Sequence, residues 1–238
     1  MGGWSSRMTD PRPVLAQARF LTFDCYGTLI DWETGLRQAF RRAMPAASPD
    51  ELAAAFDRYL AAEAQVEAEA YQSYRRVVAA AAGRVAESLN VELPPKAAAD
   101  IAQSVGDWLP FPDTCDALRV LRRSCRVGIL SNVDRDLFAR TAIHLGLAFD
   151  AVITAEDVAS YKPAHGHFER FASLHGRQGW VHVAQSQFHD GGPARELDIP
   201  FVWINRRGES RIDEASPVAE YPDLRTFAAA LEMASRGL

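Results

Sequence analysis

An aspartate stands where an apolar run ends. Phe20-Leu21-Thr22-Phe23 reads as a short buried strand. Asp24 follows it directly, and Gly27 marks a turn. Open α/β sheets place their chemistry at the C-terminal mouth of a parallel strand. A carboxylate held and partly desolvated there can act as a nucleophile. A lone aspartate after a strand also serves as a turn or cap residue. What sets Asp24 apart is the whole pattern Phe-Asp-x-Tyr-Gly-Thr-Leu around it. Three further segments carry chemistry. Ser131-Asn132 close the apolar run Gly128-Ile129-Leu130 and bring a hydroxyl and an amide. Tyr161-Lys162-Pro163 brings an ammonium, and the stretch His182 to Asp190 brings a second acid.

Lysine usage singles out one of these groups. The chain has 26 basic residues, but only Lys96 and Lys162 are lysines. Surface charge is therefore left almost wholly to arginine, and one of two lysines sits inside a candidate motif. A compact ammonium that approaches a carboxylate as a point charge explains that choice, because a planar guanidinium cannot replace it there. Lys162 beside Asp24 would keep the carboxyl ionised. Thr28, Ser131 and Asn132 would orient Asp24 and a bound ligand by hydrogen bonds. Cys25 is expected to be a small packed residue, turned away from its neighbour's side of the strand.

Taken in order, the four segments resemble the four motifs of the haloacid dehalogenase superfamily, and its dehalogenase-like branch in particular. The resemblance covers nearly the whole chain. It implies that Asp24 attacks an electrophilic carbon or phosphorus to form an ester, which water then hydrolyses. It implies catalytic roles for Asp24, Lys162, Ser131 and Asp190, with Asp190 positioning the water. Tyr26, Thr28, Asn132, Ser186 and His189 are then expected around the substrate. Superfamily phosphatases resemble Asp-x-Asp, where the second acid protonates the leaving alcohol. Tyr26 holds that position here, and a phenol with a pKa near ~10 is a poor acid at neutral pH. A halide needs no proton. The branch also holds its substrate with an arginine from the first cap helix, for which Arg58 and Arg75 are the candidates. Phe168, Gln185 and Gln187 depart from that branch, which has Tyr, Ser and Asn at these places.

These residues need a scaffold. Five strand-like runs are visible at Phe20–Asp24, Val127–Leu130, Ala151–Thr154, Val181–Ala184 and Phe201–Asn205, rich in β-branched and aromatic residues. Helical stretches lie between them, at Thr114–Arg123, Arg135–Leu145, His167–Leu174 and Gly192–Leu197, with a last helix at Leu224–Ser235. That alternation predicts an α/β fold with a parallel, Rossmann-like sheet. Residues 31–110 show no convincing strand. Ser48-Pro49-Asp50-Glu51 is a helix start, and Leu52, Phe56, Tyr59 and Leu60 follow at helical spacing, read as packing. Further helices are expected at Tyr74–Leu89 and from Pro94-Pro95 to Val105. By resemblance this insertion is a helical cap. The expected division is a flexible tail over 1–18, a core from 19–30 and 111–238, and a cap over 31–110.

Composition excludes several classes. A net charge of −5 and the absence of a long basic run argue against nucleic-acid binding. No apolar stretch reaches the ~18 residues of a membrane span. Three cysteines without metal-site spacing, and a polar start without an apolar leader, point to a cytoplasmic chain. The expected function is hydrolytic dehalogenation of a small 2-haloacid-like carboxylate without a cofactor. Opening of a strained heterocyclic amino acid by the same attack is a variant. A Mg²⁺-dependent phosphatase and a non-catalytic binding protein are the alternatives. A homodimer is implied by the resemblance alone.

Overall fold

The computed structural model describes residues 10–236. Six strands among them form one parallel sheet: β1 (Phe20–Phe23), β2 (Arg126–Ser131), β3 (Ala151–Thr154), β4 (Trp180–Ala184), β5 (Phe201–Ile204) and β6 (Ala219–Tyr221). Their order is β3-β2-β1-β4-β5-β6. The first strand is therefore central, with Phe20 in register with Arg126 on one side and Trp180 on the other. Its four residues are all buried, as are all five of β4, which is why these runs read as apolar rather than alternating.

The first helix, α1 (Arg12–Ala16), lies within the stretch expected to be a tail. Leu15 and Ala18 are buried in the core, so apolar burial orders this segment from residue 10 onward. The earlier part of the expected tail lies outside the described residues. Four helices follow β1: α2 (Trp32–Ala43), α3 (Pro49–Glu67), α4 (Tyr74–Ser88) and α5 (Pro95–Ser104). They pack on one another and form the helical cap inserted after the first strand. Ser48 and Glu51 make the reciprocal bonds of a capping box at the start of α3. Asp31 accepts from Thr34 N and caps α2, an element the sequence reading did not resolve.

The remaining helices are α6 (Thr114–Leu121), α7 (Arg135–Leu145), α8 (Ala155–Val158), α9 (Gly166–His175), α10 (Gly192–Glu196) and α11 (Leu224–Arg236). Alternation along the strands separates two apolar layers. Leu21, Phe23, Val181 and Val183 pack in one layer with Leu118 of α6, Leu137 of α7 and Phe227 of α11. Phe20, Trp180 and Ala184 pack in the other with Phe168 and Phe171 of α9 and Ala194 of α10. Each large side chain so buried contributes about 1.5–3 kcal/mol. A single π-helical turn, Gln187–Gly191, joins β4 to α10. Among the described residues no helix is long and apolar enough to cross a membrane.

Candidate active site

Asp24 leaves β1 with its backbone N–H bonded to Val183 O at 3.1 Å. The chain then turns back through Gly27, whose φ of 96° only glycine adopts without strain. Both oxygens of the Asp24 carboxylate are held. Lys162 Nζ donates to Oδ1 at 2.9 Å, and Thr28 Oγ1 donates to Oδ2 at 2.9 Å. Gln185 N in turn donates to Thr28 Oγ1 at 2.9 Å. Arg206 donates twice to Thr28 O and reaches Asp113, so the turn is pinned to the core.

Lys162 is 1% exposed and all three of its ammonium protons are used. They go to Asp24 Oδ1, to Asp190 Oδ1 at 2.6 Å and to Leu130 O at 2.9 Å. Burial alone would push its pKa down, but Asp190 and Asp24 outweigh that and raise it. Asp190 is equally buried, and the facing ammonium together with His182 holds its carboxyl well below the usual range against the cost of burial. The lysine is positioned by Asn132. Lys162 N donates to Asn132 Oδ1 at 2.7 Å, and Asn132 Nδ2 donates to Lys162 O at 3.1 Å. Asn132 thus clamps the loop that carries the cation, a different task from the ligand binding expected of it.

His182 is a participant that the sequence reading passed over. Its Nε2 lies 2.8 Å from Asp190 Oδ1 and its Nδ1 lies 2.8 Å from Thr22 Oγ1. Trp180 Nε1 donates to Thr22 Oγ1 at 2.7 Å. His182 thus bridges the buried Asp190 carboxylate and a Thr22 hydroxyl that accepts from the indole. The signal was present in the sequence: a histidine inside an otherwise apolar strand needs a buried partner.

Four groups meet at a cavity of ≈ 240 Å³ between the sheet edge and the cap: Asp24, Ser131, Lys162 and Asp190. Asn132, Ser186, His189 and Tyr26 also line it. Among the described residues, Ser131 Oγ and Asp190 Oδ2 are buried without a hydrogen-bond partner. Ser186 Oγ accepts from His189 N at 3.0 Å and lies 3.1 Å from His189 Nδ1, and burial pushes the His189 pKa down. Tyr26 turns its hydroxyl away from Asp24, 2.8 Å from Thr141 Oγ1, and burial raises its pKa well above the ordinary value. Cys25 is fully buried with its thiol pushed up.

The two expected arginines are elsewhere. Arg58 projects from α3 to Ser88, donating to its carbonyl at 2.8 Å and its hydroxyl at 2.9 Å. Arg75, 38% exposed, pairs with Asp134 and Asp136 at the start of α7. Neither lines the cavity, because each faces another helix rather than the sheet edge. Phe168 packs edge-on against His182 beneath the site. Gln187 bonds Ser210 O and Ile212 N, while Gln185 reaches the cavity rim and Glu209. From the cap, the wall is made instead by Trp32, Tyr59, Leu60, Glu63, Glu67, Tyr74 and Trp108.

A sequence model for haloacid dehalogenase-like hydrolases matches residues 19–184. The chain belongs to the haloacid dehalogenase-like hydrolase family. No curated protein matches the sequence of this hydrolase. Its fold is similar to that of the L-2-haloacid dehalogenase from Xanthobacter autotrophicus, with a TM-score of 0.79 at 21% identity over 91% of this chain and 99% of that one. It is similar to a defluorinating L-2-haloacid dehalogenase, with a TM-score of 0.78 at 21% identity over 90% and 95%. It is also similar to the HAD-hydrolase YfnB from Bacillus subtilis bound to magnesium, with a TM-score of 0.76 at 16% identity over 90% and 99%. Such likeness carries the fold of this hydrolase and not its substrate. A Mg²⁺ ion would need carboxylate oxygens. Asp24 has both oxygens engaged, and Asp190 Oδ1 serves Lys162 and His182. Among the described residues no three His, Cys, Asp or Glu side chains come together to hold a metal. Of these carboxylate oxygens, Asp190 Oδ2 alone is without a partner among the described residues.

Proposed function

We propose that this hydrolase displaces a leaving group from carbon through an ester on Asp24, with dehalogenation of a small organic halide as the prototype. The observation that carries the reading is Lys162, which donates to Asp24 Oδ1 at 2.9 Å while the Tyr26 hydroxyl is turned away to Thr141. The site thus offers an attacking carboxylate and no acid at the position a leaving alkoxide needs. An Asp24 oxygen attacks the carbon, and the carbon–halogen bond breaks with its electron pair leaving as halide. A water set by Asp190 then adds to the Asp24 carboxyl carbon and the alcohol departs. One water is consumed, and one halide and one proton are released. Ser131, with its buried unpartnered hydroxyl, donates to the substrate.

Oxygen-18 water tests the reading. In a single turnover with enzyme in excess, the label enters Asp24 and not the product, because water attacks the ester carbonyl. Label in the first product would make Asp24 a general base instead. Asp24→Asn is expected to fold and to lose at least ~10⁴-fold in rate, as when a central residue of a covalent mechanism is removed. EDTA is expected to leave the rate unchanged. Loss with EDTA and rescue by Mg²⁺ would favour phosphoryl transfer.

A further inference from the structure

The cavity has the wrong charge for a simple carboxylate. Its lining carboxylates are Asp24, Glu63, Glu67 and Asp190, and its lining cations among the described residues are Lys162 and Arg207. Lys162 is held between Asp24 and Asp190, and Arg207 pairs with Glu33. No cation is left to receive an anionic group. Glu63 and Glu67 stand one turn apart on α3, on the same face as Tyr59. Tyr59 and Tyr74 both donate to Glu63 Oε1, at 3.0 and 2.9 Å, which fixes that carboxylate. Glu67 has no hydrogen-bond or ion-pair partner among the described residues. Tyr26, Trp32, Tyr59, Tyr74 and Trp108 supply aromatic walls. Carboxylates set among aromatic rings are the chemistry that recognises an ammonium. The unpartnered oxygens of Ser131 and Asp190 independently mark the same cavity as built for a polar ligand.

We propose that the substrate carries a protonated amino group, which Glu63 and Glu67 receive while the carbon to be attacked lies against Asp24; this rests on the displacement reading above. At ≈ 240 Å³ the cavity fits a small molecule, since pockets for drug-sized ligands run about 300–1,000 Å³. Binding also moves a proton. The groups that face Glu67 are Glu63 and Tyr59 from its own helix, Tyr74 from α4, and Tyr161 and Lys162 from the loop between α8 and α9. Burial and Glu63 push the Glu67 carboxyl up to about 8 against the pull of Lys162. An arriving ammonium favours its ionised form, so binding at neutral pH releases a proton.

Titration calorimetry of the whole protein with propylammonium chloride, in two buffers of different ionisation enthalpy, tests this. Propylammonium is expected to bind with a Kd of about 1 mM or tighter and to release a proton, while sodium propionate gives no binding. Glu67→Gln is expected to weaken binding at least ~10-fold, as loss of a charge-assisted contact does, and to abolish the proton release. Glu63→Gln provides a second variant with the same expected weakening. Binding of propionate in place of propylammonium, or undiminished propylammonium binding by Glu67→Gln, would overturn the proposal. The two readings fail separately. Propylammonium binding without oxygen-18 in Asp24 overturns displacement alone, and oxygen-18 in Asp24 without propylammonium binding overturns amine recognition alone.

Discussion

Lys162 donates to three acceptors in three directions, two of them buried carboxylates, and that geometry sets what can replace it. A guanidinium fork lies in one plane and cannot reach all three. Lys162→Arg is therefore expected to leave activity near that of Lys162→Ala, measured as halide release. Lys162→Ala leaves Asp24 and Asp190 buried against each other, and a loss of about 3–5 kcal/mol in a urea titration is expected. His182→Phe removes the donor to Asp190 and strands the Thr22 hydroxyl, for an expected loss of about 1–3 kcal/mol. Residues that close strand-like runs, such as Asp24 and Ser131, were legible because an acid or hydroxyl there breaks an apolar run. The rarity of lysine made Lys162 legible too. Arg58 and Arg75 were not, because which way a helix arginine faces depends on packing between helices. Glu63 and Glu67 carried a faint signal, continuing at four-residue steps the stripe of Tyr59 that read as packing.

At the level of elements, α2 and the chain around Trp108 are locked together at Gly35. A Cβ built at Gly35 would lie 2.3 Å from the Trp108 ring. Gly35 lies in the first turn of α2, and alanine in place of a helical glycine gains up to about 1 kcal/mol from propensity alone. Here the expected sign is reversed. Gly35→Ala should cost about 1–3 kcal/mol through overpacking and shift Trp108, which lines the cavity, as a change in tryptophan fluorescence would report. Of the cap helices, α3 announced itself most clearly, through Ser48 and Glu51 and the apolar spacing behind them. Others did not, α2 and α8 among them. The strand β6 has only three residues, Ala219-Glu220-Tyr221, and alternates too briefly to show a period. The helix α1 has one buried residue, Leu15, and is ordered by the core it touches rather than by its own sequence.

For the molecule as a whole, the cap glutamates tie stability to pH. The folded state keeps a proton on Glu67 up to about 8, whereas an unfolded chain loses it near 4.5. Between those values the folded state binds more protons, so this group makes stability fall as pH rises. Glu67→Gln is expected to flatten that fall, read from urea midpoints across the same window. The parallel sheet was legible from alternation of strand and helix, and the insertion from the lack of strands across 31–110. The central place of β1 was not, because strand order is set by crossovers rather than by any one run. That place has a consequence for the nascent chain. The partners of Phe20 are Arg126 and Trp180, which leave the ribosome about 106 and 160 residues later. At ~5–20 residues per second, β1 waits for its second neighbour for roughly 8 to 32 seconds, an apolar ribbon with both edges open until Arg126 emerges and one edge open after that. The cap helices, whose contacts are local, are complete well before then, and a chaperone that shields β1 in that interval would raise the yield of folded enzyme.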